Sequence, residues 1–225
     1  MPIKDGQLPL FPLNTVLFPG MTLPLQIFES RYQQMLDDCL STEPIFGVTF
    51  IKEGVEVGGS ALPHKVGTTA RILGVEKKAK GLWHITTVGE ERFRLRGILH
   101  EKPYLVGQME PFPLAAVDAP EVRPLAERGT KLLAAYLQLL SQAIGAEIKL
   151  QRPPGDPASV AYLTAMLLQV TLPVKQRLLA IADLPSLLRE EAALLNSESK
   201  ALSVMIHALN TGGPPPDDGT PFSRN

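Results

Sequence analysis

"LPLFPLNTVLFPGMTLPLQIF", Leu8 to Phe28, decides the fold: it carries no charge, yet it contains Pro9, Pro12, Pro19 and Pro24. It is long enough to cross a bilayer, for which about 18 apolar residues suffice. Its eleven Leu, Ile, Phe and Val residues would favour insertion by roughly 3–7 kcal/mol. Four interior prolines would each cost a helix about 3 kcal/mol, and Asn14, Thr15, Thr22 and Gln26 add polar cost. A secretory leader fits no better, since "MPIKDGQ" sets one Lys against one Asp and no small-residue cleavage site follows. The stretch reads instead as extended strands joined by a turn at Phe18-Pro19-Gly20, with prolines at strand starts or edges.

The remaining composition is that of a globular chain. Its 225 residues are 44% hydrophobic and 20% charged, enough for one or two domains with a real core. Charge is balanced in both halves: residues 1–112 hold 12 Lys+Arg and 12 Asp+Glu, and residues 113–225 hold 10 and 11. A dedicated nucleic-acid binder would show a basic excess. One cysteine excludes an internal disulfide framework, and the cytoplasm is the expected compartment.

The two halves differ in periodicity. Residues 1–113 are expected to form a β-rich lobe with one inserted helix, "ESRYQQMLDDCL", Glu29 to Leu40. Tyr32, Met35, Leu36, Cys39 and Leu40 share its apolar face. A strand is expected over Pro44–Ile51, then a glycine-rich loop. Four short runs follow, "TTARILGVEKK", "LWHITTVG", "ERFRLRGILHE" and "YLVGQMEPF". In the third, Arg92, Arg94 and Arg96 alternate with Phe93, Leu95 and Ile98, the pattern of a half-buried strand in a meander. Closure of these strands into a small barrel would protect their edges.

Residues 114–210 are expected to form a helical bundle lobe. Leu132, Leu133, Tyr136, Leu137, Leu140 and Ile144 make an apolar stripe that ends at Gly145. Asp156 followed by Pro157 reads as an N-cap with proline at the first helical position. A third helix begins at "LPVKQRLLAIAD", and Pro185 opens a fourth. That last helix carries Leu188, Leu195, Leu202 and Leu209 at seven-residue spacing, as in packing along another helix. Residues 211–225, rich in Pro, Gly and polar groups, read as a disordered tail. The fold class is therefore α+β.

Residues that could carry chemistry are scattered. Cys39 lies on an apolar helix face and reads as structural. His64, His84, His100 and His207 form no ligand-spaced cluster, so no metal is expected, nor any cofactor. Ser60 lacks the GxSxG context of a nucleophile elbow. Ser199 and Lys200 are neighbours pointing in different directions, and so are Glu90 and Glu91. No catalytic residue is assigned. The basic row Arg92, Arg94 and Arg96, with Lys77, Lys78 and Lys80 before it, is the one nucleic-acid candidate, and Glu76, Glu90, Glu91 and Glu101 interrupt it.

The stretches "LPLFPLNTVLFPGMTLPLQIFESRY", "VGTTARI" (Val66–Ile72), "TTVGEERFRLRG" (Thr86–Gly97) and "KQRLLAIADLPSLLREEAALL" (from Lys175) span most of residues 8–209. Together they resemble the N-terminal domain of the ATP-dependent protease Lon in a stand-alone form. The resemblance implies a PUA-like pseudo-barrel followed by a helical lobe, and a β-lobe of the kind also found in cereblon. It implies a non-catalytic module that binds polypeptide segments or a partner protein, with a AAA+ protease among its expected partners and no membrane. The sequence contains no GxxxxGK[ST] phosphate loop, and the family's Ser–Lys peptidase domain would lie past its end. The family's Gly-x-x-Arg pattern, here Gly89 and Arg92, is expected to support a turn.

A polypeptide site calls for an apolar groove with a few aromatic anchors. Phe18, Met21, Phe28 and Tyr32 flank the strand-turn-helix corner and are the expected lining, with Trp83 as a further candidate. The alternative is RNA on the Arg92, Arg94 and Arg96 face. Oligomers are compatible with the leucine row of the last helix.

Overall fold

The computed structural model describes residues 6–56, 61–99, 102–148 and 155–211. Ser60, His100 and residues 212–225 of the expected tail lie outside them. The first half forms seven strands, β1 (Gln7–Leu13), β2 (Thr22–Ile27), β3 (Ile45–Gly54), β4 (Ala61–Pro63), β5 (Val66–Lys77), β6 (Trp83–Leu99) and β7 (Leu105–Pro111). Helix α1 (Ser30–Ser41) is inserted after β2.

Five of these strands close a ring. β1 pairs antiparallel with β7 from Gln7 to Leu10 and parallel with β3 from Leu10 to Leu13. β3 then pairs with β5, β5 with β6, and β6 with β7. The register explains how β1 tolerates two prolines. Pro9 lies where β1 has only β7 beside it, and Pro12 where it has only β3. Each therefore has an unpaired side on which a missing N–H breaks no ladder. β2 lies along the first half of β6, and β4 folds back on β3. Among the described residues these two strands retain free edges, and each carries a proline, Pro24 and Pro63. Proline is a common way to blunt an edge against further pairing.

The opening stretch forms two strands with a turn at Phe18-Pro19-Gly20 between them, and β1 and β2 pair with different strands. One expectation is corrected here. "LWHITTVG" and "ERFRLRGILHE" form one strand, β6, rather than two. Gly89 reads as a turn signal but sits inside the ladder, where a Cβ would stand 2.3 Å from the Phe18 carbonyl oxygen. Glycine is needed there for close approach, not for reversal.

The helical half comprises α2 (Val122–Ile144), α3 (Pro157–Leu167), α4 (Leu172–Leu179) and α5 (Leu184–Thr211). Gly145 ends α2 in the left-handed conformation, φ 66°. The Asp156 carboxylate accepts from Ser159 N at 2.9 Å and caps α3. Asp183 does the same for α5 through Ser186 N, 2.9 Å. Leu188 and Leu195 of the leucine row are buried against the other helices, and Leu202 partly so. Leu209 is 69% exposed, and Leu40 and Ile144, read as stripe residues, are also exposed where α1 and α2 end.

The lobes share one core. Val16, Phe18, Val66 and Phe112 from the β-half pack with Leu133, Tyr136, Leu168, Leu178, Leu187 and Leu195. A second cluster lies between the outer face of the strands and α1, around Phe11, Met35, Leu36, Phe46 and Trp83, and a third, Leu8, Leu10, Ile45, Phe93 and Leu95, fills the ring. Cys39 belongs to the second, and burial pushes its thiol up to about 12, which leaves it protonated at neutral pH. No described helix is long and apolar enough to cross a membrane.

Candidate functional site

The strand-turn-helix corner is tightly built. Met21 N donates to the Phe18 carbonyl at 3.1 Å, Gly20 N to the Gly89 carbonyl at 2.8 Å, and Gly89 N to the Met21 carbonyl at 2.9 Å. Gly20 takes φ 81°, the region open to glycine. These bonds turn Phe18 inward until it is 1% exposed, at the heart of the shared core. Met21 is half-buried against both clusters. Tyr32 is buried with its ring 4.2 Å from that of Phe11, and burial raises its hydroxyl pKa while Arg31 opposes the rise. Trp83 is buried as well, covered by the Lys77 ammonium 3.7 Å from its ring. Only Phe28 projects outward, 58% exposed. The recess between Phe28 and Tyr32, rimmed by Glu29 and Glu56, encloses about 40 Å³, little more than one water's share of liquid volume. The five expected anchors do not converge on a groove.

The arginine row shares a face as read, but the face is occupied. Arg92 is 3% exposed; its Nη1 donates to the carbonyls of Leu179, 2.7 Å, and Ile181, 2.6 Å, at the C-terminal end of α4. A cation suits that end of a helix, where carbonyls lack partners. Burial pulls its pKa below the ordinary arginine value. The guanidinium also lies 4.7 Å from the Phe112 ring. Arg94 covers the same ring at 4.0 Å, and Glu110 pairs with Arg96 at 2.7 Å and with Arg94 at 3.9 Å. Lys77 pairs with Asp37 and Lys78 with Glu76. Arg92 therefore joins the two lobes, while the Gly89 backbone, not Arg92, bonds the turn at Gly20. Glu90 pairs with Arg71, and His84 faces Gln26 and Glu76 across the sheet, so neither meets Arg92 in a pocket.

An apolar groove lies elsewhere, where β4 and the start of β5 meet α4. It encloses about 510 Å³, within the range of small-ligand and peptide sites. Leu62, Pro63 and Val66 form one wall, and Pro173 and Ala180 the other. Leu62 and Ala180 are exposed, and Val66 is continuous with the shared core. Gln176 closes the floor: its Nε2 donates to the Val66 carbonyl at 3.0 Å. A carbonyl only accepts, so this bond fixes the amide orientation, and Oε1 is left buried without a partner among the described residues. Lys52, His64, Lys65 and Arg177 form the rim. The His64 ring stacks flat on Phe50, centroids 5.3 Å apart, and burial together with Lys52 lowers its pKa, keeping it neutral at pH 7.

Residues 7–197 match the family described as the ATP-dependent protease La (LON) substrate-binding domain. The chain belongs to that family. It is 28% identical over 200 residues to the Lon protease of Anaeromyxobacter dehalogenans, covering 88% of this chain and 24% of that protein. It is 34% identical over 105 residues to the Lon protease of Flavobacterium johnsoniae, covering 46% of this chain and 13% of that one. The chain thus spans about a quarter of the length of the first Lon relative. Among solved structures, a Lon N-terminal domain protein from Xanthomonas campestris superposes with TM-score 0.60 at 29% identity, covering 83% of this chain and 97% of that one. The N-terminal domain of a Mycobacterium avium complex Lon protease superposes with TM-score 0.67 at 21% identity, which supports the fold, over 84% and 98%.

Membership in this substrate-binding-domain family accounts for the α+β architecture, and the ring of strands is consistent with a PUA-like description. The groove residues were not singled out in the sequence. β4 hides in a segment that reads as a glycine-rich loop, and Gln176 lies on a helix whose apolar residues set the pattern. The one legible signal was "LPHK", Leu62 to Lys65, where apolar and basic residues follow Gly58-Gly59-Ser60-Ala61.

Proposed function

We propose that this chain is a non-catalytic, cytoplasmic module that recognises polypeptide segments, and that it acts as an adaptor presenting unfolded or partner proteins to a AAA+ protease supplied by another chain. The observation that carries this reading is the apolar groove of about 510 Å³ between β4 and α4, a shape suited to side chains of an extended segment. Membership in the substrate-binding family supports it. Binding works through apolar side-chain contact in the groove. Strand addition is the lesser route, because β2 and β4, which each have a free edge among the described residues, each carry a proline.

The test is fluorescence anisotropy of a labelled, permanently unfolded polypeptide titrated with the protein at low and near-physiological salt. An RNA of similar length is titrated beside it. Saturable polypeptide binding that survives the higher salt is expected. Replacing Ala180, exposed on the groove wall, with Arg should weaken that binding while leaving the melting temperature unchanged. RNA binding alone, collapsing with salt, would refute the reading.

A further inference from the structure

The rim of the groove is one-signed. Lys52, Lys65 and Arg177 stand around apolar walls, and among the described residues no carboxylate lines the groove. Their own acidic neighbours lie outside it: Glu53 is 3.6 Å from Lys52, and Glu190 is 2.9 Å from Arg177. Lys65 is exposed and has no ion pair among the described residues. A chain with net charge −1 thus concentrates cations around its apolar groove. We propose that the groove selects extended polypeptide segments in which apolar residues are flanked by Asp or Glu. This rests on the polypeptide-binding reading above and adds the chemistry of the segment.

Charge complementarity carries the argument. A carboxylate beside the apolar residues of a bound segment meets Lys52, Lys65 or Arg177 at the exposed rim, where each attraction is modest and sensitive to salt. A basic segment of equal apolar content meets three like charges instead. The Gln176 amide supplies an independent pointer. It is nine-tenths or more buried in the groove floor, and among the described residues its Oε1 is an acceptor without a donor. Main-chain N–H groups of an extended segment are such donors. A nucleic acid is also anionic, but it binds by base stacking along a track of phosphate contacts. Among the described residues the one aromatic ring on this rim, His64, already lies flat on Phe50.

The experiment uses three labelled peptides that share one apolar core and carry acidic, neutral or basic flanks, with a single-stranded RNA oligonucleotide as a fourth probe. Anisotropy is read for the full chain at low and near-physiological salt. The acidic peptide should bind about tenfold tighter than the basic one at low salt, the sum of several exposed pairs of modest strength, and the gap should narrow as salt rises. The Lys52→Glu/Lys65→Glu variant should reverse the order without changing the thermal midpoint. Lys65→Gln, a milder change, should reduce the preference to about threefold. Equal affinity for all three peptides would overturn the selectivity and leave polypeptide recognition standing. Absence of binding by every peptide would overturn both. A preference unmoved by either variant, or RNA bound as tightly as the acidic peptide, would overturn the assignment of this groove.

Discussion

Replacing Arg92 with Ala should loosen the joint between the barrel and the helices. Its Nη1 makes two short bonds to the Leu179 and Ile181 carbonyls, each of a charge-assisted kind that contributes about 1.5–3 kcal/mol. The Phe112 ring adds a cation–π contact at 4.7 Å. Against these stands the cost of burying a guanidinium, visible as its lowered pKa. Truncation does not recover that cost cleanly, because it strips two carbonyls of their donor and opens a cavity. A buried carbonyl left without its donor costs about 1–3 kcal/mol, so with two such carbonyls a loss of at least about 2 kcal/mol is expected. Urea unfolding followed by circular dichroism and by Trp83 fluorescence measures the change. Arg92→Lys should fall between wild type and Ala, since one ammonium lacks the fixed fork that a guanidinium presents. A loss below about 1 kcal/mol for Arg92→Ala would refute the claim that this side chain secures the lobes.

Four further outcomes are expected. Gly89→Ala should cost at least about 2 kcal/mol in urea unfolding, as overpacking against a backbone atom does, because the new methyl would meet the Phe18 carbonyl at 2.3 Å; a neutral result would show that β6 can shift. Glu191 is buried in α5, and burial raises its pKa well above the ordinary carboxylate value. Its folded form is therefore favoured below the unfolded value of about 4.3, and stability is lost as pH climbs toward the folded value. Glu191→Gln should accordingly gain in stability over wild type between pH 5 and 8, roughly the window above that unfolded value, with the gain fading at lower pH; parallel melting curves would contradict this. Cys39, pushed up to about 12, should react with a thiol reagent at pH 8, roughly half a unit below a free thiol's pKa, only as fast as the protein opens. Labelling as rapid as a free thiol's would place it at the surface. Asp156→Ala should cost about 1 kcal/mol through loss of the α3 cap, measured by thermal melting.

The fold was legible where a local pattern has a local cause. The Asp156-Pro157 start of α3, the Gly145 end of α2 and the buried face of α1 follow from capping chemistry and periodicity. The arginine alternation was legible as a strand, but not its fate. Nothing within "ERFRLRG" reveals that a helix some ninety residues later presents its terminal carbonyls to Arg92. The expected anchors failed for the same reason. Phe18, Tyr32 and Trp83 look identical in sequence whether they line a groove or fill a core, and only the covering elements decide. The groove is formed by residues roughly 110 positions apart, joined by the Gln176–Val66 bond.

The ring imposes an order on synthesis. β1 finds β3 about forty residues later, but its other side waits for β7, about a hundred residues downstream. At a translation rate of about 5–20 residues per second, the opening strand spends on the order of ten seconds half-paired. During that interval Leu8, Leu10 and the apolar residues after them are exposed to neighbouring nascent chains. Non-local closure of this kind slows folding as well. The uncharged opening stretch that makes the barrel is thus also its main hazard before closure. Pro9 and Pro12, which break no ladder in the finished ring, stand in that stretch as built-in guards against a wrong partner strand.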